Sequence, residues 1–542
     1  MAEAHATTEM MHTAEASNFA PFLRSCKKEC SEPVEGKITG EIPRWLRGSL
    51  LRNGGGLLEI GTDKFNHAFD SMALMHRFRV RDGHVTYMNR FLHSNAYKRN
   101  MSANRIVVTE FGTRGFPDPC KTIFQRFMSK FIIEDFTDND LLNIIQLGDQ
   151  FYVCSETNFI HRVDPEKLET MDRVDLSKYL AINTATAHPH FDRDGTYYNM
   201  GSGFSLCGPT YNIVKTSPAS DVNVNPFETA SIVCSIPARY RFKPSYYHSF
   251  GMTENYLVFV EQPFFVSIRH LLWLHIKGDA YIDALEWNPK LKVYFHIINK
   301  QTGERLPVIY TTSPFLVFHH INAYEDSGHL VVDMCCYNDG EVVKGLCVAE
   351  LGKIKEDPYH LAELTRCQVR RYVLPMDVSS QDLDRSQNLV KLPGSEATAH
   401  FEQDGSVFCQ YEALTEAGPG HAEMPGINYA KYNGRKYRFF YALGRKVPNL
   451  ETYMMKINTE TKEIEIWSEE KRIPSEPVFV ANPNAVEEDD GILLSSLLHE
   501  ESEKKVALLI LDAKTMKELG RAEFETESSV PGCLHGVFTH LL

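Results

Sequence analysis

Two histidines flank a proline in Asn183-Thr184-Ala185-Thr186-Ala187-His188-Pro189-His190, just ahead of a turn at Asp194-Gly195 and the strand-like run Thr196-Tyr197-Tyr198-Asn199-Met200. The proline stiffens the backbone, so the first ring can be held at one angle. Neutral imidazole binds a metal through one nitrogen while a partner holds the other. Alone, such a stretch is more often a surface loop or satisfied core, so further ligands must come from elsewhere. Three histidines stand in comparable settings: His248 in Tyr246-Tyr247-His248-Ser249-Phe250-Gly251, His319 in Phe318-His319-His320-Ile321-Asn322, and His535 in Leu534-His535-Gly536-Val537-Phe538. With 22 histidines in the chain, most must be structural. What these four share is a position at the start or end of a strand, where the inner strands of a radial sheet assembly would converge.

The elements that must position them read as strand, tight turn, strand. Arg77 to Arg81 and His84 to Phe91 flank Asp82-Gly83, Leu141 to Leu147 and Gln150 to Ser155 flank Gly148-Asp149, and His319 to Tyr324 and His329 to Tyr337 flank Ser327-Gly328. Apolar runs around Gly-containing turns are the strongest short-range hairpin signal. The pattern returns at Thr302-Gly303, Asp404-Gly405 and Asp490-Gly491. Helical patterning is sparse; its clearest case, Val348 to Leu364, is interrupted by Pro358. This predicts an all-β chain, and a β-propeller solves the edge problem of so many antiparallel strands by radial repetition. Ala185-Thr186-Ala187-His188 before Asp194-Gly195 is echoed by Ala397-Thr398-Ala399-His400 before Asp404-Gly405, as two inner blade strands in equivalent positions would be. Four tryptophans and no Trp-Asp signature argue against a WD40 array as the source of the rhythm.

The 542 residues are 43% hydrophobic and 24% charged, ample for a large core. A net charge of −14 argues against nucleic-acid binding, which needs a basic face. The 12 cysteines are scattered without a Cys-x-x-Cys, pointing to buried thiols in a reducing compartment. Residues 1–18 carry three glutamates and no Lys or Arg; they read as a disordered tail ahead of a single domain at 19–542, with no transit pattern. No stretch approaches the ~20 apolar residues of a membrane span.

In these local sequences and this order, His188, His248, His319 and His535 resemble the carotenoid cleavage oxygenases, the family that includes the retinoid isomerase of the visual cycle. The resemblance runs from about Glu35 to the C-terminus. It includes Arg52-Asn53-Gly54, Asn66-His67-Ala68-Phe69-Asp70, Thr109-Glu110-Phe111-Gly112-Thr113, Phe116-Pro117-Asp118-Pro119-Cys120, Pro474-Ser475-Glu476-Pro477 and Glu488-Asp489-Asp490-Gly491. It implies a seven-bladed propeller with a helical and loop cap over one axial non-haem Fe(II) held by the four histidines, with O2 as co-substrate. It further implies that Glu156, Glu423 and Glu476 accept the second N–H of His248, His319 and His535 respectively. His190, His320 and His400 are left outside the ligand set; His320 would alternate to the opposite strand face from His319.

After Cys120, a helix would place Ile123, Phe124, Phe127, Met128, Phe131 and Ile132 on one face and Arg126 and Lys130 on another, the pattern of an interfacial helix. Val260 to Ile276 is a second candidate wall. Family members extract apolar substrates from membranes, so a peripheral membrane contact is expected there, with Cys120 a candidate for acylation. The resemblance implies a dioxygenase that cleaves a carotenoid double bond in an apolar tunnel, Phe111 among the aromatic faces beside the polyene. Ser245 to Thr253 and Glu261-Gln262-Pro263 look most like the eccentric 9′,10′ branch. Central 15,15′ cleavage, isomerooxygenase or retinyl-ester isomerohydrolase activity, and a non-catalytic carotenoid-binding propeller are the alternatives. Cytoplasmic location with peripheral membrane contact is the expectation, and oligomeric state is left open.

Overall fold

The computed structural model describes residues 20–122, 136–218, 224–277, 279–353, 357–378, 387–415, 422–446 and 451–541. The expected tail at 1–18 and the membrane-contact candidates Phe124, Phe127, Met128 and Phe131 lie outside the described residues. Within them, seven sheets of four to six strands succeed one another along the chain, with two small two-stranded ribbons. Each large sheet is one blade of the propeller.

Blade 1 is built on Gly48–Leu57, Met72–Arg81 and His84–Phe91, and blade 2 on four strands from Asn143–Leu147 to Thr170–Asp175. Blade 3 runs from Thr184–Ala185 to Ser231–Pro237, and blade 4 is built on Gly251–Met252, Tyr256–Glu261 and Val293–Asn299. Blade 5 opens with Leu316–Asp326 and His329–Tyr337, blade 6 with Glu423–Gly426, and blade 7 contains Val478–Ala481 and Gly491–His499. Two exchanges close the ring. Gly536–Thr539, from the end of the chain, pairs with Gly48–Leu57 of blade 1, while Lys37–Gly40, from its beginning, pairs with Glu518–Glu525 of blade 7. Both strands cover edges that would otherwise expose unpaired backbone.

The hairpins follow from turn chemistry. Asp82 and Gly83 have φ of 53° and 81°, and Ser327 and Gly328 have 50° and 74°, the left-handed pairs that match the twist of two-residue hairpins. Strands between neighbouring blades are packed on both faces: all nine residues of His329–Tyr337 are buried. That double burial is why the sequence shows apolar runs rather than clean alternation. Helices cluster over the sheets as a cap, among them Asn95–Ala103, Ile268–Lys277, Glu341–Gly345, Val348–Gly352 and Pro358–Leu364. Pro358 begins its helix, where a missing N–H costs nothing, so the expected interruption is a boundary between two helices.

Two expectations are corrected. Thr398–Phe401 is the outermost strand of the blade 4 sheet, beyond Val407–Gln410, which joins Tyr310–Thr312 in a parallel pair. The Ala-Thr-Ala-His echo therefore links an inner strand to an outer one and marks no equivalence. Within Val260 to Ile276, Val260, Phe264 and Phe265 are core residues; Leu272 and Trp273 face outward, 64% and 55% exposed.

Candidate metal centre

The blades bring seven side chains to one point. His188 sits between Thr184–Ala185 and His190–Phe191 in blade 3, and His248 in the segment entering Gly251–Met252 of blade 4. His319 lies in the first strand of blade 5, and His535 immediately precedes the closing strand of blade 1. Glu156 follows Gln150–Cys154 in blade 2, Glu423 opens blade 6, and Glu476 stands between Arg472–Pro474 and Val478–Ala481 of blade 7. Every blade, or the segment entering it, gives one residue.

One side-chain nitrogen from each of the four histidines lies within 4.8 Å of those of the other three. Ring centroids are 4.5 Å apart for His188–His248 and His188–His535, and 5.0 Å apart for His319–His535. Three of the rings are held from behind. His248 Nδ1–H donates to Glu156 Oε1 at 2.5 Å, His319 Nδ1–H to Glu423 Oε2 at 2.6 Å, and His535 Nδ1–H to Glu476 Oε1 at 2.8 Å. A proton on Nδ1 leaves Nε2 as a bare lone pair, so the carboxylates set the tautomer as well as the angle. The Nε2 atoms of His188 and His248 approach to 2.9 Å, and Nε2 of His319 is buried with no hydrogen-bond partner. Nitrogens that converge in this way can serve one cation together.

The carboxylates are anchored in turn. The Tyr246 hydroxyl donates to Glu156 at 3.0 Å, Met424 N–H to Glu423 Oε2 at 2.9 Å, and the Arg52 guanidinium to Glu476 Oε2 at 2.7 Å. Arg52 also reaches the carbonyl of Leu534 at 2.7 Å, fixing the backbone beside His535. His188 has no carboxylate among these contacts; its backbone N–H is held by Thr186 Oγ1 at 3.1 Å, and Thr186 by Asn199 at 2.7 Å. Burial, then the neighbouring imidazoles, hold His188 well below the usual imidazole range, keeping it a neutral ligand. Burial opposes charge on His319 too, but Glu423 beside it outweighs that and raises its pKa.

A four-imidazole set suits a borderline divalent ion such as Fe(II) and can leave coordination positions open for a small molecule. The donor set, the unpartnered Nε2 of His319 and the three carboxylates that offset the charge fit that metal. His190 is turned away, its two nitrogens taken by the Tyr429 hydroxyl and the Phe250 carbonyl, both at 2.9 Å. His320 binds Ser249 Oγ at 2.8 Å, and the strand's register shifts on both sides of it, between Val317 and His320 and between His320 and Asn322.

An apolar cavity lies between the imidazoles and the cap, lined by Phe69, Leu142, Phe318, Leu346 and Leu351, with His248, His319 and His535 in its wall. Phe111 stands one ring back. It packs on His67 and Phe69 with centroids 5.0 and 6.4 Å away, and Phe69 is the one that lines the cavity. Arg52, Phe69 and Tyr246 were present in the recognised motifs, but nothing in their spacing shows their contacts. Leu142 carries no motif signal at all. A second, more polar cavity reaches His188 along the inner strands of blades 2 and 7. Cys120 is exposed, with its backbone N–H on Asp118.

Fold and site together define a seven-bladed propeller with a four-histidine centre on its axis. Residues 23–540 match the family model RPE65, retinal pigment epithelial membrane protein, and the chain belongs to this family. It is 42% identical over 525 residues to a mitochondrial carotenoid-cleaving dioxygenase of Mustela putorius furo, covering 96% of each chain. It is also 42% identical over 519 residues to a β,β-carotene 15,15′-dioxygenase of Mus musculus, covering 94% of this chain and 90% of that one. Among solved structures, cobalt-substituted apocarotenoid oxygenase from Synechocystis superposes with a TM-score of 0.74 at 21% identity, over 96% of this chain and 98% of that one, which shows the shared fold.

Proposed function

We propose that the chain is a carotenoid-cleaving dioxygenase with one Fe(II) held by His188, His248, His319 and His535. The observation that carries this is the convergence of four imidazoles, three of them fixed by Glu156, Glu423 and Glu476 and lining an apolar cavity. Bound there, ferrous iron would supply the redox chemistry that lets dioxygen react with an alkene. The protein's own part is positioning. Phe69, Leu142 and Phe318 give a polyene an apolar wall and keep water from its reacting carbons, so that one double bond rests beside the open face of the imidazoles. Two of the glutamates stay ionised: despite burial, His319 and its hydrogen bond hold Glu423 below the usual carboxylate range, and His535 and Arg52 do the same for Glu476.

For the bond cleaved, the relatives favour central 15,15′ scission over the eccentric 9′,10′ expectation, because the 15,15′ bond is printed in the names of relatives at 42% identity. Aerobic incubation of iron-loaded protein with β-carotene, with products identified by mass, decides it. Two C20 aldehydes support central cleavage, a C13 and C27 pair restores the eccentric reading, and no product with any carotenoid overturns the activity.

The substrate's insolubility calls for a membrane contact. The expected helix face lies outside the described residues, but Phe116 and Phe136 on either side of it are 42% and 38% exposed. The Phe136 ring packs on Tyr281 at 5.5 Å, just beyond the helix that presents Leu272 and Trp273. Among the described residues no helix is long and apolar enough to cross a membrane, so the proposed contact is peripheral. Co-sedimentation with liposomes that Leu272→Ser and Trp273→Ser reduce supports this; protein wholly in the supernatant sinks it. The ferret relative's name favours a mitochondrial address over the cytoplasmic one, and fractionation of expressing cells separates the two.

A further inference from the structure

Behind His319, at the junction of blades 5 and 6, a second set of metal-binding atoms meets the first. Cys335 lies in His329–Tyr337 and Cys367 begins Cys367–Pro375; the register pairs Tyr337 with Cys367 and Cys335 with Val369. Cys335 and Cys367 are thus diagonal neighbours on one sheet face, close enough for their sulfurs to meet. Glu423 comes to them from the first strand of blade 6. The two Sγ atoms and a Glu423 carboxylate oxygen all lie within 4.8 Å of one another. Both cysteines are thiols, 0% and 2% exposed.

Glu423 divides its two oxygens. Oε2 receives the His319 N–H and the Met424 N–H, while Oε1 is buried, with the Tyr337 hydroxyl beside the carboxyl as a further support. The carboxyl thus stands between the His319 ring and the two sulfurs, with one oxygen within reach of both.

We propose that Cys335, Cys367 and Glu423 form a second metal site, for a thiophilic d10 cation such as Zn2+ or Cd2+, which shares Glu423 with the four-histidine centre. Two sulfurs and one carboxylate oxygen are a ligand set zinc accepts, and three protein ligands leave its fourth position for solvent or the Tyr337 hydroxyl. A hard cation such as Mg2+ or Ca2+ is disfavoured by the sulfurs. Burial keeps both thiols protonated while no cation is present, and a cation that binds them as thiolates displaces both protons to solvent, so occupancy is favoured by higher pH. Occupancy draws charge from the Glu423 carboxylate and weakens its hold on His319. The site therefore acts as a brake: a thiophilic cation lowers the affinity of the histidine centre for its own metal, by about tenfold or more on the usual scale for such supporting carboxylates.

The test uses full-length protein and one equivalent of cadmium. Cadmium–thiolate charge-transfer absorption is read in the ultraviolet, and the cadmium neighbours are read by X-ray absorption. The expected result is two sulfur neighbours in the wild type, with absorption at least halved and affinity at least tenfold lower in Cys335→Ser and Cys367→Ser, and unchanged in Cys207→Ser, which alters an exposed thiol. Absorption equal in all four proteins, or a wild-type cadmium environment of nitrogen and oxygen alone, overturns the proposal. The wild-type spectrum decides even where a serine variant fails to fold, and no readout depends on carotenoid cleavage.

Discussion

His188 Nε2 lies 2.9 Å from His248 Nε2, although His248 already gives its Nδ1 proton to Glu156. Two rings from different blades thus aim nitrogens at one another, an arrangement that lets both bind one cation. Binding to the folded state alone raises stability by RT ln(1 + [L]/Kd), about 2.7 kcal/mol at a hundredfold excess over Kd. Cobalt(II), added without oxygen, should therefore raise the unfolding temperature of the wild type and leave that of His319→Ala unchanged. Equal rises in both would place the ion elsewhere.

Arg52 is fully buried and joins Glu476 to the backbone at Leu534. Removing one member of a buried ion pair typically costs about 3–5 kcal/mol, because the other charge is left unpaired. Arg52→Gln should lose that much in urea unfolding and bind iron about 10–100-fold more weakly, as expected when a ligand's supporting carboxylate is disturbed. Arg52→Lys should recover only part, since one ammonium cannot replace a fork bonded to both groups. Full recovery by lysine would show that charge alone suffices.

Gly536 follows His535 at the closing strand. A Cβ there would stand 2.1 Å from the Leu51 carbonyl oxygen, in the pair that joins the chain end to blade 1. Gly536→Ala must push the strand outward and carry His535 with it. The expected outcome is a loss of about 1–3 kcal/mol or more together with reduced iron content. Unchanged iron content would mean that His535 is positioned independently of this strand.

Asp70 holds the loop that carries Phe111, accepting from Gly112 N–H at 2.9 Å and from the Thr113 hydroxyl at 2.5 Å. Burial pushes its pKa up to about 6, against those hydrogen bonds, and burial pushes Asp140 to about 7, against its contact with His161. Unfolded, both ionise near ~3.9. The fold favours their neutral forms, so their contribution to stability is present below about pH 4 and is lost as pH rises through about 6 to 7. The contribution of these two groups makes the unfolding temperature fall between about pH 4 and pH 7, and fall less in Asp70→Asn, which has nothing to ionise at that position. An identical fall in the variant would contradict the assignment to Asp70.

Much of this architecture was legible because tight turns and ligand spacing are local. Asp82-Gly83 and Ser327-Gly328 announce hairpins through backbone conformations that few residues adopt. The four histidines stood out by their strand-end positions, and the family motifs then supplied partners for three of them. What was not legible depends on which strands meet in space. The Ala-Thr-Ala-His echo failed because strand order within a sheet is not written in a four-residue string. Val260, Phe264 and Phe265 look like a membrane wall, but neighbouring sheets bury them. Leu142 and the Cys335–Cys367 pair carry no periodic signal, since their roles arise from packing between distant segments. The scissile bond depends on the depth and shape of a cavity, which no motif encodes.

The central claim is that four imidazoles from four blades hold one iron. Its most direct test is iron per chain after anaerobic reconstitution and gel filtration, compared between wild type and His188→Ala. The account predicts one iron per wild-type chain and less than about a tenth of that in the variant, in line with the loss expected when one of four ligands is removed. Stoichiometric iron in His188→Ala, still cleaving carotenoid, would contradict it.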